Sequence, residues 1–428
     1  HPSLRILFSA TLGGSSHILP LLDMGEALVA RGHNVTFATY NELLPDYLQP
    51  DSEIKGLALG KDTFGPEKRD EVWGKHMHHD GDVDELQVQY LIVESTLDTY
   101  PEHYRRYRAW ITANEPDVFV CDLFAAACAD AAYEAGVPFV IVSSTVNFQG
   151  FADQPYLSNF LGRLPPTYES AGFFERFVDA VLIQANMVRR FLPLLQRQSA
   201  IFAELGIRPY AGAPERWHDG LVVINNYFGF ETPRPLPPNT FMVGPYMSRT
   251  YPPLSDELSA FMNARKRVAY VGFGGQVIMT KERVAVILVE LLRAHRDGLL
   301  DGAIWGLMLL NNDGLLPETV QLEGRNPGDP SETHNIADMR AGKHPVVRLL
   351  NRAPQRAILH HSATQLFISH AGIHSTYESL YAGVPMLCMP VIGDQTPNSI
   401  KLEHNGAGLW LQRGKITGES LRQQLYRL

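Results

Sequence analysis

The stretch LRILFSATLGGSSHILPLLDMGEALVARGHNVTFAT, residues 4–39, decides the fold class. Its first part, Leu4–Ser9, is an apolar run of strand length, and the small-residue turn Gly13–Ser16 follows it. Apolar residues then recur at helical spacing until Gly32, after which Val35–Thr39 has the composition of a second strand. The order strand, helix, strand predicts a βαβ unit, in which the crossover helix makes the two strands parallel.

The same alternation returns further along the chain. Asp117–Asp122 is a third apolar strand candidate, and an alanine-rich helix is expected over Phe124–Glu134. The turn Gly136–Pro138 then leads into the strand candidate Phe139–Ser143. Repeated units of this kind predict an α/β protein with a parallel sheet.

The length of 428 residues predicts two domains of roughly 200 residues each, because one hydrophobic core rarely grows larger. The proline-dense segment Pro233–Pro238 cannot continue a helix or a central strand, so we expect it to form a stiff connector. We therefore place the boundary there, which gives domains 1–240 and 241–428.

The alternation starts afresh after this connector. A strand is expected at Val268–Val271, followed by the turn Gly272–Gly275 and a helix over about Lys281–His295. Residues Asn311–Lys343 are polar and rich in Gly, Pro and Asp, and this composition predicts a long surface loop. The second domain is therefore also expected to be α/β.

The composition excludes several classes of protein. The hydrophobic content of 45%, the charged content of 19% and the formal net charge of −9 are those of a globular enzyme, and no basic cluster favours nucleic acid as a partner. The apolar runs are too short to span a bilayer, so we expect a soluble chain. Cys121, Cys128 and Cys388 are three in number and lie among apolar residues, so we expect buried thiols and no disulfide framework.

The most specific pattern lies between residues 352 and 395. Leu366–Ser369 is a strand candidate, His370–Gly372 a tight turn, and Ser375–Tyr381 the start of a helix. A helix N-terminus offers free backbone N–H groups to a diphosphate, and the side chains of His370 and Ser375 are expected to add charge-assisted hydrogen bonds. Glu378 lies one turn further on, where its carboxylate is expected to accept both ribose hydroxyls. The alternatives are a structural histidine and a solvated helix glutamate.

This pattern resembles the donor-binding signature of the UDP-dependent glycosyltransferases. The similarity covers Arg352–Gln355, Ser369–Glu378, Gly383–Pro385 and Asp394–Gln395, and other segments extend it over nearly the whole chain, closest to the animal and fungal branch. The resemblance implies the GT-B architecture, two Rossmann-like domains facing across a cleft, with the acceptor bound by the first and the UDP-sugar by the second. It also implies that no metal or other cofactor is needed.

The resemblance assigns roles to individual donor-site residues. Arg352 stands where the family usually carries a Trp stacked on uracil, and a guanidinium plane can stack in the same way. Ala353 and Gln355 read the base edge, and Asp394 with Gln395 bonds the sugar hydroxyls, a pair that accompanies glucose. The phosphate-facing turns contain Gly274, Gly275, Gly372 and His374. Gly275 stands where many members carry a Ser, and His374 stands where plant members carry an Asn.

A histidine and an aspartate in the first domain match the family's catalytic pair. His17 lies in the first strand-to-helix loop, where α/β proteins bind ligands. Its imidazole, with an unperturbed pKa of about 6.5, is suited to take a proton from an acceptor hydroxyl. Asp122 ends a strand and is expected to fix the tautomer of His17. The alternatives are a surface histidine and a helix N-cap.

Two other patterns carry less specific signals. The cluster His76–Asp80 contains three histidines, but its spacing fits no standard zinc site, so a solvated loop is the preferred interpretation. The turn Gly272–Gly275 lacks the GxGxxG spacing and the acidic residue of a dinucleotide site. We therefore expect neither a metalloenzyme nor a nicotinamide-dependent enzyme.

The predicted activity is inverting transfer of glucose from UDP-glucose to a hydroxyl of a small lipophilic, phenolic or flavonoid-like acceptor. Alternatives are a sterol or lipid glycosyltransferase of the same architecture and a non-catalytic sugar-nucleotide-binding partner. The family continues beyond the position of Leu428, so we expect a missing C-terminal tail. Two locations remain open: cytoplasmic, or associated with the endoplasmic reticulum through a signal peptide and an anchor in that tail.

Overall fold

The computed structural model describes residues 2–12, 15–62, 85–146, 151–152, 154–158, 164–210, 212–247, 250–275, 277, 279–308, 315–326 and 328–427. The chain forms two compact units, the first with the described residues up to 247 and the second with those from 250 onward. Each unit is built around its own parallel sheet.

The first unit alternates strands and helices from its start. Its elements are β1 (Arg5–Ser9), α1 (Ser15–Val29), β2 (Asn34–Thr39), α2 (Leu44–Tyr47), β3 (Lys55–Ala58), α3 (Glu85–Asn114), β4 (Val118–Asp122), α4 (Ala126–Glu134), β5 (Phe139–Ser143), α5 (Phe173–Phe177), a π-helical turn (Val178–Leu182), α6 (Ile183–Leu205), α7 (Ala213–Trp217), β6 (Leu221–Ile224) and β7 (Thr240–Met242). A 3₁₀ turn, Tyr168–Ser170, precedes α5.

The seven strands of this sheet are all parallel, in the order β3-β2-β1-β4-β5-β6-β7. Strand β1 pairs with β2 on one side and with β4 on the other, so the strand order reverses between β1 and β4. Such a topological switch point opens a crevice at the carboxyl ends of the strands, where α/β proteins bind their ligands.

Both faces of the first sheet are covered, as expected for parallel strands. Leu7 and Phe119 pack in one core with the buried tyrosines of α3 and the alanines of α4. Ile6 and Phe8 point to the opposite face and pack with Ile18 of α1. Apolar residues on both faces explain why these strands are continuous hydrophobic runs, and the βαβ opening predicted from residues 4–39 is confirmed.

The second unit begins with a helix and repeats the alternation. Its elements are α8 (Asp256–Asn263), β8 (Val268–Gly272), α9 (Lys281–Arg296), β9 (Gly302–Gly306), β10 (Thr319–Leu322), β11 (Glu332–Asn335), α10 (Ile336–Arg340), β12 (Val347–Leu350), α11 (Gln355–Leu359), β13 (Thr364–Ser369), α12 (Ile373–Ala382), β14 (Met386–Cys388), α13 (Gln395–His404), β15 (Gly408–Trp410) and α14 (Gly418–Leu425). A 3₁₀ turn, Arg413–Lys415, precedes α14.

Six of these strands form the second parallel sheet, in the order β12-β9-β8-β13-β14-β15. Strand β8 pairs with β9 on one side and with β13 on the other, so the switch point of this sheet lies between β8 and β13. The remaining two strands, β10 and β11, pair with each other as an antiparallel hairpin.

Two expectations about chain segments need correction. Asn311–Lys343 is not one long loop, because its described part contains β10, β11 and α10, whose Val320, Ile336 and Met339 are buried in the second core. The proline-dense connector Pro233–Pro238 joins β6 to β7 of the same sheet, so the chain enters the second unit only after β7. Strand β7 forms one edge of the first sheet.

The expectation of three buried thiols is wrong for two of them. Cys121 of β4 and Cys128 of α4 form a disulfide, because the turn after β4 brings their Cα atoms to 5.9 Å. Cys388 is a free thiol in the interior. Within the described part of the chain, no helix has both the length and the apolar character that crossing a bilayer requires.

Candidate functional site

His17 and Asp122 meet at the switch point of the first sheet. His17 lies in the first turn of α1, which follows β1, and Asp122 is the last residue of β4, which pairs with β1. The sheet topology therefore brings together two residues that are 105 positions apart in the sequence.

The contact between the two side chains is direct. His17 Nδ1 lies 2.8 Å from Asp122 Oδ2, and the Asp122 side chain is only 4% exposed. A carboxylate only accepts hydrogen bonds, so Nδ1 of a neutral His17 carries the proton and Nε2 is the basic nitrogen. The edge of the imidazole also contacts the Phe124 ring, with centroids 5.2 Å apart. This is the arrangement of a general base with an orienting carboxylate.

Asp122 is not the N-cap of the following helix. Helix α4 begins at Ala126 and its N-cap is Ala125, which makes no side-chain cap. The second oxygen of Asp122, Oδ1, accepts the backbone N–H of Phe124 at 3.0 Å. Asp122 thus holds the turn with one oxygen and His17 with the other.

A second set of predicted residues lies in the second unit, at the carboxyl ends of its strands. Gly274 follows β8, Arg352 and Gln355 follow β12, and His370 follows β13. These strands are parallel members of one sheet, with β9 between β12 and β8, so their carboxyl ends share one edge of the sheet. The helix α12, with Gly372 as its N-cap, begins there and directs its free N–H groups to the same edge.

His370 is buried at this edge and is neutral near pH 7. Burial lowers its pKa to about 4, although a hydrogen bond to the backbone carbonyl of Gly272 opposes this shift. A neutral imidazole has a single N–H group. The expectation that His370 makes a charge-assisted hydrogen bond is therefore corrected. The neutral ring packs against the glycines of the turns, and the positive potential at this edge comes from the backbone N–H groups.

The glycines of the turns make room for His370. A Cβ on Gly372 would lie 2.5 Å from His370 Nε2, and one on Gly274 would lie 3.1 Å from the same atom. Gly274 also has a φ of +64°, which L side chains rarely adopt. Gly275 differs, because its Cβ would meet only Met308 at 3.5 Å, so a side chain is sterically tolerated there.

Gln355, Ser375 and Glu378 form one hydrogen-bonded group. The Gln355 amide donates to Glu378 Oε2 at 2.6 Å and to Ser375 Oγ at 3.2 Å. Burial raises the pKa of Glu378, while the bond from Gln355 and the charge of Arg356 oppose the rise. The alternative of a solvated helix glutamate does not hold, because this carboxylate is half-buried and bonded by Gln355.

Asp394 and Gln395 are both tied to the backbone of this edge. Gln395 is buried and its Oε1 accepts the N–H groups of Val391 and Ile392, so only its amide N–H groups are left for a sugar hydroxyl. Asn398 Nδ2 donates to Asp394 Oδ2 at 2.7 Å and to the Ala371 carbonyl at 3.0 Å. Asn398 therefore links Asp394 to the turn around His370.

The other predicted residues lie at the same edge. Arg352 is exposed, Ala353 is half-buried beside Gly306, and His374 is half-buried in the first turn of α12. Sequence reasoning missed Asn398, although its spacing of four residues from Asp394 on a helix could have indicated the contact. It also missed Tyr270, whose Oη lies 3.2 Å from Gln355 Oε1.

Among the residues that the structure describes, no group of three or more His, Cys, Asp or Glu side chains is arranged to hold a metal ion. The histidine-rich cluster His76–Asp80 lies outside the described residues. Its assignment as a solvated loop stays a prediction.

Comparisons with known sequences agree with this picture. The sequence model of the family described as UDP-glucoronosyl and UDP-glucosyl transferase matches residues 116–428. UDP-glycosyltransferase stmC of Aspergillus ustus is 30% identical over 437 residues, which cover 100% of this chain and 80% of that protein. UDP-glucuronosyltransferase 1A5 of Homo sapiens is 27% identical over 317 residues, covering 72% of this chain and 53% of that protein.

Solved structures show the same fold. A glycotransferase of kitacinnamycin superposes with a TM-score of 0.65 at 18% identity, covering 100% of this chain and 90% of that one. UGT2 of Phytolacca americana, complexed with UDP-2fluoro-glucose and pterostilbene, gives a TM-score of 0.63 at 16% identity with the same coverage. The predicted α/β class and GT-B architecture are confirmed.

Proposed function

The chain belongs to the UDP-glucoronosyl and UDP-glucosyl transferase family, and from this premise we propose that it transfers glucose from UDP-glucose to a hydroxyl of a small lipophilic acceptor, with inversion at the anomeric carbon. Membership makes the protein a small-molecule glycosyltransferase that uses a UDP-sugar. The observation that carries the catalytic part of the proposal is the 2.8 Å contact between His17 and Asp122.

In the proposed reaction, His17 is the general base. Its Nε2 takes the proton of the acceptor hydroxyl while the acceptor oxygen attacks the anomeric carbon. The bond between that carbon and the diphosphate oxygen breaks, and UDP leaves on the opposite face, so an α-linked donor gives a β-glycoside. The imidazolium that forms is stabilised by the Asp122 carboxylate.

The second unit is proposed to hold the donor. The N-terminus of α12 and the turn around Gly274 present backbone N–H groups to the diphosphate, with the positive end of the helix dipole behind them. Charge that develops on the leaving group is stabilised by groups already in place, so the proposed reaction needs no divalent cation.

Glucose is the proposed sugar because the residues of the sugar site favour a neutral hexose. Asp394 lies next to Gln395, and its carboxylate would repel the carboxylate of a glucuronosyl donor. Gln395 offers only amide N–H groups, since its Oε1 is bonded to the backbone. A carboxylate that accepts hydrogen bonds, next to an amide that donates them, suits the hydroxyl groups of a neutral sugar.

A panel of acceptors and donors tests the proposal. Purified protein is assayed with UDP-glucose, UDP-galactose and UDP-glucuronic acid against a phenol, a flavonoid and a sterol. We expect the fastest turnover with UDP-glucose and the phenol or flavonoid. Turnover confined to the sterol would favour the lipid glycosyltransferase, and UDP binding without turnover on any acceptor would favour a non-catalytic protein.

A further inference from the structure

Tyr270 has a polar contact that its place in a core strand does not require. It lies on β8, its ring stacks on Phe367 of β13 with centroids 5.0 Å apart, and it is only 2% exposed. A Phe would fill the same space. The Tyr270 hydroxyl is instead within 3.2 Å of Gln355 Oε1, at the carboxyl edge of the sheet.

The chemistry of the group fixes the direction of each hydrogen bond. An ionised Glu378 only accepts, so the end of the Gln355 amide that lies 2.6 Å from Glu378 is the NH₂ group. The end that faces Tyr270 is then the carbonyl oxygen, and Tyr270 donates. Burial and the nearby Glu378 carboxylate both raise the pKa of Tyr270, so its hydroxyl keeps its proton at working pH.

Two glycines leave the space that this contact occupies. A Cβ on Gly272 would lie 3.0 Å from Tyr270 Oη and 3.1 Å from Gln355 Oε1, and a Cβ on Gly306 would lie 3.2 Å from Tyr270 Oη. Neither glycine has a positive φ, so backbone conformation does not explain them. At Gly272 a side chain would take the room that the hydroxyl and the amide need, and at Gly306 it would meet the hydroxyl and also the Ala353 Cβ atom at 3.0 Å.

We propose that Tyr270 is a positioning residue for donor recognition: its hydroxyl orients the Gln355 amide, which in turn holds Glu378 for the ribose hydroxyls of the donor. Without the hydroxyl, the carbonyl end of the amide loses its hydrogen bond, and the amide is oriented only by the bonds that its NH₂ group donates to Glu378 and Ser375. The amide is then held less firmly, and so is the Glu378 carboxylate to which it donates. The inference rests on the proposed function, because it assumes that Glu378 contacts the ribose.

The test measures ribose preference, the ratio of the affinities for UDP and 2′-deoxy-UDP, by calorimetry. In Tyr270→Phe we expect this preference to fall about threefold to tenfold, the range for one hydrogen bond, with little change for 2′-deoxy-UDP. Gly272→Ala intrudes on the same contact and should act in the same direction. Glu378→Ala should abolish the preference and weaken UDP binding roughly ten- to a hundredfold.

Tyr107→Phe is the matched control. Tyr107 is also fully buried, and its hydroxyl lies 2.6 Å from Ser9 Oγ in the first unit, so its loss should leave ribose preference unchanged. Full ribose preference in both Tyr270→Phe and Gly272→Ala, or an equal loss of affinity for UDP and 2′-deoxy-UDP, would overturn this inference but not the proposed function. Wild-type protein that binds UDP and 2′-deoxy-UDP equally would instead remove the proposed donor site itself.

Discussion

The pairing of His17 with Asp122 is the feature on which the proposed chemistry depends at the scale of residues. The 2.8 Å contact fixes the neutral tautomer, in which Nε2 is the basic nitrogen of the ring. Helix α1, which carries His17, follows β1, and β4, which carries Asp122, pairs with β1. The fold itself therefore brings the two side chains together, without a conformational change.

Replacing His17 with Ala should lower turnover on an alcohol acceptor by roughly 10²–10⁴-fold, the usual contribution of a general base. UDP affinity measured by calorimetry should stay near that of wild type, because the imidazole acts on the acceptor. The loss should shrink for a very acidic phenol, which needs less help to ionise. His33→Ala, in the same unit, is the control, and near-normal turnover of His17→Ala on an alcohol would contradict the assignment.

At the level of single residues, the sequence predicts a contact when the partners belong to a known pattern and fails when they do not. His17, Asp122 and Glu378 stand in recognisable motifs. Tyr270 lies in the apolar run Val268–Gly272, where an aromatic residue predicts only burial. Its partner Gln355 is 85 residues away, so the hydroxyl contact depends on the pairing of strands that the sequence does not reveal.

Helices α3, α4 and α7 are joined by a buried ionic group. Asp130 of α4 accepts hydrogen bonds from Tyr100, from Tyr210 and from the Arg216 guanidinium, whose Nε lies 2.7 Å from Oδ1. The Arg216 guanidinium also stacks 3.7 Å from the centre of the Tyr133 ring. Burial raises the pKa of Asp130, although its partners oppose the shift.

Removing one partner of this group should be costly. We expect Arg216→Ala to lower the free energy of unfolding of the first unit by about 3–5 kcal/mol, because the Asp130 charge is left buried and unpaired. The measurement is urea denaturation followed by circular dichroism. Arg105→Ala breaks an exposed pair with Glu204, so its cost should be about 0–1 kcal/mol, and equal effects of the two variants would contradict the argument.

The elements themselves show where sequence reasoning succeeds and where it fails. Strands such as β1, β4 and β8 are apolar on both faces, so their composition alone predicts them. The hairpin of β10 and β11 was missed because Glu332–Asn335 is polar and its pairing with β10 depends on a contact across a Gly- and Pro-rich segment. In β10 the buried Val320 and Leu322 alternate with exposed residues, the pattern of a half-buried strand.

Three buried histidines make the stability of the whole molecule depend on pH. Burial lowers the pKa values of His103, His344 and His370 to about 4 each, from the ordinary value of 6.5. Between about pH 4 and pH 6.5 these histidines bind protons in the unfolded chain but not in the folded protein. The corresponding stability is fully present above about pH 6.5 and is lost as the pH falls toward 4.

Thermal melts between pH 7 and pH 4.5 measure this dependence. The melting temperature should fall with pH, and His103→Gln should flatten the slope because one group with a lowered pKa is removed. His404→Gln changes an exposed histidine and serves as the control. A His103→Gln slope as steep as that of wild type would show that this histidine does not contribute.

The proposed donor site also predicts how the molecule responds to chelators. In the proposed donor site the leaving diphosphate is held by backbone N–H groups at the start of α12, so turnover should persist in excess chelating agent. Initial rates with and without EDTA measure this. Complete loss of activity that magnesium or manganese restores would show that the donor site needs a cation.

The stereochemistry of the product tests the central claim most directly. Wild-type protein is incubated with UDP-glucose and a simple phenol, and the glucoside is examined by proton NMR at its anomeric position. A single displacement assisted by His17 predicts the β-glucoside, which has a large coupling between the axial protons on C1 and C2, and predicts almost none from His17→Ala. An α-glucoside, with its small coupling, would contradict the proposed mechanism.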